Sequence, residues 1–225
     1  MRLGIPVYEG VNLLDVAGPL EMFYWAGQQG NDLQTVLVSS DGKPVTSINK
    51  VKFEVGASFD NTPALDILWV PGGDPDVLEM MMKNPEHSPY LNYLRRIAAK
   101  ATWVCSVCEG ALLLARAGLL DGHAATTHWS VVKCLKRFHN VTVDTTLPRP
   151  RFIYSDTNVL TGKKENRLTG GGISSGLDEA LKLISLLFGD EKAEAVQRTT
   201  EYFPKPPVTG AILRLPDCDM DWGPT

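Results

Sequence analysis

Cys108 lies between an apolar run, Thr102-Trp-Val-Cys-Ser-Val107, and a helix-patterned run, Glu109-Gly-Ala-Leu-Leu-Leu-Ala-Arg116. A residue at a sharp strand-to-helix junction is pushed out of the sheet. A glycine two places on, Gly110 here, lets the backbones approach. This is the geometry of a nucleophile elbow with Cys in place of Ser. A helix that begins there points its free N–H groups and positive dipole end at the sulfur, which predicts a thiolate. The usual fate of a free Cys is a small buried hydrophobe; the strand–Cys–x–Gly–helix context argues for the nucleophile. Cys105-Ser-Val-Cys108 is also a C-x-x-C. Cys105 falls inside the apolar run, however, and one pair without a second is a poor basis for zinc. Cys134 and Cys218 carry no partner pattern and are expected as unpaired thiols.

Three further groups could serve that sulfur. His128, in Ala125-Thr-Thr-His-Trp129, is a candidate base, or a histidine that merely caps a strand end. Asp15 is a candidate acid just before a helix that Gly18-Pro19 is expected to open, or that helix's N-cap carboxylate. Gly72 and Gly73, with the amide of Glu109, could present backbone donors to an anionic intermediate, or the glycines could only turn the chain. Gly170–Gly172 admits the same two readings, and no G-x-x-x-x-G-K-[ST] phosphate loop is present. His128, Trp129, Gly171 and Gly172 are the expected pocket residues.

The elements that must position these groups alternate. Strands are predicted at Leu3–Tyr8, Leu33–Ser39, Asp66–Val70, Thr102–Val107, Ala124–Thr127, Val141–Val143 and Phe152–Tyr154, with a hairpin excursion over Lys43–Phe59. Helices are predicted at Pro75–Met82, Pro89–Lys100, Cys108–Arg116, His128–Phe138, Ile173–Phe188 and Glu191–Tyr202. Strands alternating with helices predict an α/β fold: a mostly parallel sheet with helices on both faces. Function then collects beyond the carboxyl ends of the strands. One domain is expected over 1–203, with a proline-rich extension over 204–225 lying as a surface strap.

Composition narrows the classes. The 225 residues are 44% hydrophobic and 21% charged, with Lys+Arg 22 against Asp+Glu 26 and a net charge of -4. That is too apolar for a disordered chain and supports one core of about 17 Å radius of gyration. A slightly acidic surface argues against nucleic-acid or anionic-membrane partners. No apolar run reaches membrane-span length, and Glu9, Asn12 and Asp15 break the N-terminal apolar stretch, so neither leader nor anchor is expected. A cytoplasmic, reducing setting follows from that reading.

In order along the chain stand Leu14-Asp-Val-Ala-Gly-Pro19, Val70-Pro-Gly-Gly73, Ser106-Val-Cys-Glu-Gly110, Ala117-Gly-Leu-Leu-Asp-Gly122, Ala125-Thr-Thr-His-Trp129 and Thr169-Gly-Gly-Gly-Ile-Ser-Ser-Gly-Leu-Asp178. This succession resembles the ThiJ/PfpI superfamily, and within it the isocyanide (isonitrile) hydratase branch, over Leu3 to about Tyr202. The resemblance implies a flavodoxin-like sandwich, a homodimer, Cys108 as nucleophile, Asp15 against the sulfur and Gly73 as a backbone donor. It implies hydration of an isocyanide to an N-substituted formamide through a thioimidate, with no metal or organic cofactor and a small molecule as the only other partner.

The chain departs from that pattern in three places. Glu109 stands where the hydratases carry Thr, and a carboxylate so near the sulfur disfavours the thiolate. Lys163–Arg167 reads as an insertion, expected as a surface loop. The tail is short and proline-rich. A glyoxalase-type or amidase-type cysteine enzyme of the same superfamily is one rival, although a His-x-Glu downstream of the elbow is missing. A ligand- or redox-sensing domain like that of AraC-type regulators is another, without their basic recognition helix.

Overall fold

The computed structural model describes residues 1–224. The chain runs β1 (Arg2–Pro6), α1 (Leu13–Gln28), β2 (Gln34–Ser39), β3 (Val45–Thr46), β4 (Lys52–Phe53), β5 (Ala57–Ser58) and β6 (Ile67–Val70). It continues through α2 (Pro75–Lys83), α3 (Pro89–Ala98), β7 (Trp103–Ser106), α4 (Gly110–Arg116) and α5 (Val132–Leu135). It closes with β8 (Phe152–Thr157), β9 (Lys164–Gly170), α6 (Ser175–Phe188) and α7 (Asp190–Thr199). Seven strands form one sheet in the order β5-β2-β1-β6-β7-β9-β8, parallel except for the β8–β9 pair. The remaining two, β3 and β4, make the expected hairpin excursion. α1, α6 and α7 pack together as one helical layer, and α2 to α5 as the other. This is the expected flavodoxin-like sandwich.

The reason is visible in the strands. All four residues of β6, Ile-Leu-Trp-Val, and all four of β7 are buried. A strand with no exposed face needs a helix on each side. From β1 the chain first adds strands on one side, then returns to add β6 on the other. The crevice beyond the carboxyl ends of β1 and β6 is therefore the place where such a sheet binds ligands.

Several boundaries differ from the sequence reading. α1 starts at Leu13, not at Gly18-Pro19, and carries Pro19 inside it. Asp15 therefore sits in the first turn rather than before the helix. The predicted strands at Ala124–Thr127 and Val141–Val143 reduce to one bridge between Ala124 and Thr142. The predicted His128–Phe138 helix is a 3-10 turn, Trp129–Val131, followed by the short α5.

The expected loop at Lys163–Arg167 is instead mostly strand β9, placed between β7 and β8. Its charged side chains are satisfied along the sheet. Lys164 pairs with Asp156 at 2.7 Å, Arg167 with Glu165 at 3.0 Å, and the Tyr154 hydroxyl donates to Asn166 at 2.9 Å. Such pairing lets a polar strand sit in a sheet.

Cys134 and Cys218, expected as thiols, form a disulfide across 84 positions. Cysteine usage therefore no longer supports a reducing compartment. Among the described residues the tail has no regular elements, and its end is anchored rather than superficial. Trp222 is 1% exposed. It stacks on Phe138 with ring centroids 5.9 Å apart, and the Arg137 guanidinium lies 4.4 Å from its ring centre. Arg116 donates to the Trp222 and Pro224 carbonyls at 3.2 and 2.6 Å. Among the described residues, no helix is long and apolar enough to cross a membrane.

Candidate active site

The turn after β7 is the elbow. Cys108 has φ +57°, a left-handed conformation that costs a residue with a Cβ about 1 kcal/mol or more. The flanking interactions hold it there. Its N–H donates to the Gly171 carbonyl at 2.8 Å, and the Thr127 hydroxyl donates to the Cys108 carbonyl at 2.8 Å. Gly110 is required two places on, because a Cβ there would stand 2.1 Å from the Val70 carbonyl oxygen. The close approach of β6 and α4 that an elbow demands is thus met by absence of a side chain.

Asp15 reaches the same point from α1. Its Oδ2 accepts the Gly72 N–H at 2.9 Å, so this amide is already engaged by the acid. Among the described residues the Gly73 N–H has no hydrogen-bond partner. Ligand atoms of Asp15, Cys108 and Glu109 all lie within 4.8 Å of one another. Two carboxylates and a thiol are donors that a divalent metal could take.

Glu109 points inward. It is 9% exposed. One carboxyl oxygen lies 3.7 Å from His128 Nδ1, and the other accepts from Asn12 Nδ2 at 3.5 Å. Gly72 makes room for it, since a Cβ there would meet Glu109 Oε2 at 2.3 Å. Asn12 also donates to Cys108 Sγ at 3.7 Å. The sequence reading missed Asn12 as a site residue; its signal was its place as the last residue before the helix that carries Asp15.

Burial decides the electrostatics. Cys108 is 1% exposed. Burial pushes its thiol well above the ordinary value, and the Asp15 and Glu109 carboxyls push it further. A hydrogen bond with the Glu109 side chain holds the proton on sulfur, while the Glu109 N–H offsets part of the rise. The expected thiolate is therefore a thiol in this resting arrangement. A seven-residue helix cannot outweigh desolvation and two nearby acids. Asp15 is raised from 3.8 to about 7, first by burial and then by Glu109; the Gly72 N–H and the Asn12 and Cys108 side chains pull the other way.

His128 does not bond to Cys108. Its Nδ1 lies 2.6 Å from Ser130 Oγ and accepts the Ser130 N–H at 3.4 Å, which makes it the cap of the 3-10 turn. His128, Trp129, Gly171 and Gly172 do line one cleft of about 400 Å³, with Arg149, Arg151 and the tail residue Ile212. Gly172 is needed there because a Cβ would stand 2.5 Å from the His128 ring. A larger groove of about 730 Å³ opens beyond β1, lined by apolar residues including Val7, Phe59 and Met81. Its lining includes Tyr8, whose hydroxyl donates to the Pro71 carbonyl at 3.2 Å.

Residues 1–169 match the model of the DJ-1/PfpI family. An isonitrile hydratase of Pseudomonas putida is 36% identical over 207 residues, which are 92% of this chain and 81% of that protein. The transcriptional regulator GbdR of Pseudomonas aeruginosa is 27% identical over 89% of this chain, which spans 50% of the regulator's length. Among solved structures, a ThiJ/PfpI family protein from Pseudomonas syringae superposes with a TM-score of 0.76 at 29% identity, covering 92% of this chain and 77% of that one.

Proposed function

This chain belongs to the DJ-1/PfpI family, and from that membership and the surroundings of Cys108 we propose that it hydrates an organic isocyanide to the N-substituted formamide. One observation carries the reading: a buried thiol on a left-handed elbow, with the carboxyl of Asp15 beside it and titrating near neutrality. The 36% identical isonitrile hydratase supports it.

The raised thiol suits this substrate. The terminal carbon of R–N≡C both accepts a nucleophile and takes a proton. Sulfur bonds to that carbon while the thiol proton passes through the Asp15 carboxylate to the same carbon, giving the thioimidate R–N=CH–S–Cys108. Asp15, ionised again, takes a proton from water as the water oxygen attacks the carbon. Nitrogen takes up the proton from Asp15. Collapse to the carbonyl then breaks the C–S bond, the hydroxyl proton returns to sulfur, and R–NH–CHO leaves. The sum is one isocyanide and one water to one formamide, a covalent route split into two easier steps. The free Gly73 amide is the backbone donor for charge that develops during these steps.

A redox-sensing role fits less well, because a sensor cysteine is normally an exposed, low-pKa thiolate and this one is buried and raised. A homodimer accompanies the reading and is checked by sedimentation of the purified protein. Spectrophotometric turnover of alkyl and aryl isocyanides by wild type, Cys108→Ala, Asp15→Asn and Glu109→Thr tests the reaction. Wild type turns over, and the first two variants lose at least about a thousandfold. An inert wild type removes the proposal, and a Glu109→Thr that gains activity identifies Glu109 as the residue that diverts it.

A further inference from the structure

We infer that the cleft beside Cys108 takes a substrate carrying an anionic group, and that Arg149 is the residue that recognises it. This rests on the proposed reaction only for the identity of the reacting end.

The cleft is one-signed. Among the described residues its lining includes Arg149, Arg151 and His128 and no Asp or Glu. Arg151 is committed elsewhere, with its Nε on Asp178 Oδ2 at 2.7 Å. Arg149 is not. Its terminal nitrogens donate to the Thr126 hydroxyl, at 2.8 Å, and to the Asp144 carbonyl, both neutral acceptors. Its Nε is buried without a partner. The Asp144 carboxylate acts on it only from a distance, because that carboxylate accepts instead from the Thr146 N–H and hydroxyl at 2.8 and 2.9 Å. A partly buried guanidinium fixed by neutral groups is a cation held in place for a missing counter-charge.

Ser175 adds a polar group to the same wall, near the buried Glu179 carboxyl, which also lacks a partner among the described residues. Ser175 is 1% exposed, lines the same cleft and has a hydroxyl with no partner. It is the first residue of the fourteen-residue α6, whose N-terminal end adds positive potential.

Charge is also segregated in a way that orients a ligand. The acids Asp15 and Glu109 surround the sulfur, and the cation stands in the cleft wall. Cleft and sulfur are adjoining, because the cleft residues Gly171 and Thr127 are the two that bond the Cys108 backbone. An anionic tail is repelled from the sulfur and drawn to Arg149, which leaves the neutral reacting end for Cys108.

Two measurements test this. The first is kcat/KM for isocyanoacetate against its methyl ester, in wild type, Arg149→Gln and Arg149→Lys. Wild type prefers the acid, the acid-to-ester ratio falls about tenfold in Arg149→Gln, and Arg149→Lys restores much of it. A wild type indifferent to the charge, or a ratio that Arg149→Gln leaves unchanged, overturns the inference. The second is the ratio of Cys108 alkylation rates with iodoacetate and iodoacetamide, read by mass spectrometry. Arg149→Gln lowers that ratio by about threefold and Arg149→Lys does not; an unchanged ratio overturns the inference. If neither isocyanide reacts, the hydration proposal fails and the alkylation ratio alone decides the question of the anion.

Discussion

Trp69 donates its indole N–H to the backbone carbonyl of Asp15 at 3.3 Å, and Pro19 is the reason that carbonyl is free. In α1 the Asp15 carbonyl would accept from the N–H four residues on, which is Pro19 and has none. The tryptophan of β6 fills the gap and fastens the first turn of α1 to the strand that leads into the Gly72 turn. The backbone of Asp15 is held by Trp69, its side chain by Gly72.

Trp69→Phe leaves a buried carbonyl unpartnered and costs about 1–3 kcal/mol beyond the loss of ring volume. It also lowers kcat more than it raises KM, because Asp15 loses its anchor. Adding Pro19→Ala supplies the missing N–H. The double variant recovers part of both losses in denaturant unfolding and in turnover; strictly additive effects would show that the indole bond does not position Asp15.

Asp15 makes stability depend on pH with a definite sign. Its folded pKa, about 7, lies above the unfolded value of 3.8, so the folded state holds the proton more tightly. Its contribution is fully present below about pH 4, is lost as pH rises, and is gone above about 7, a change of a few kcal/mol at most. The Tm of Asp15→Asn relative to wild type therefore climbs between about pH 4 and 7 and levels off above that. A flat difference would contradict the raised carboxyl.

Glu109 raises both of its neighbours. In Glu109→Gln the acid limb of the activity profile, set by Asp15 as base, moves below its wild-type midpoint. The pH dependence of Cys108 alkylation moves down as well. Stopped-flow rates and iodoacetamide labelling across pH 5 to 10 read the two shifts; movement of either to higher pH would refute the arrangement.

Gly110→Ala places a Cβ against a backbone carbonyl that has nowhere to go. We expect a loss of several kcal/mol or failure to accumulate folded protein, read by chemical denaturation. Gly118→Ala is the contrasting variant: nothing lies within 4 Å of its added Cβ, and only its positive φ of 76° resists, so it costs about 1 kcal/mol.

Trp222→Ala removes the buried end of the tail and costs about 3–5 kcal/mol. It also frees the strap that carries Ile212 into the cleft. Limited proteolysis then cuts within 204–217 much faster than in wild type, and KM rises with little change in kcat. Equal protection of the two proteins would mean that the disulfide alone holds the strap.

What the sequence disclosed followed from strong local signals. Buried strands and a Cys-x-Gly junction located the elbow, because steric demands at such a turn leave few residue choices. The start of α1 was misread because Pro usually marks a first helical turn, and the compensating donor, Trp69, is 50 residues away from it in sequence. β9 escaped notice because Lys-Glu-Asn-Arg has no apolar alternation, and its partners come from other segments. The Cys134–Cys218 bridge leaves no spacing signal across 84 positions. The protonation of Cys108 was misjudged for a related reason: a helix N-terminus is legible in sequence, but the depth of burial and the inward turn of Glu109 are not.

The central claim is a covalent bond between Cys108 and the isocyanide carbon, resolved by Asp15. Asp15→Asn mixed with an alkyl isocyanide and analysed by peptide mass spectrometry tests it most directly. The account predicts that the peptide containing Cys108 gains the full mass of the isocyanide, with formamide release slowed by orders of magnitude. Formamide produced at the wild-type rate by Asp15→Asn, or by Cys108→Ala, would contradict it.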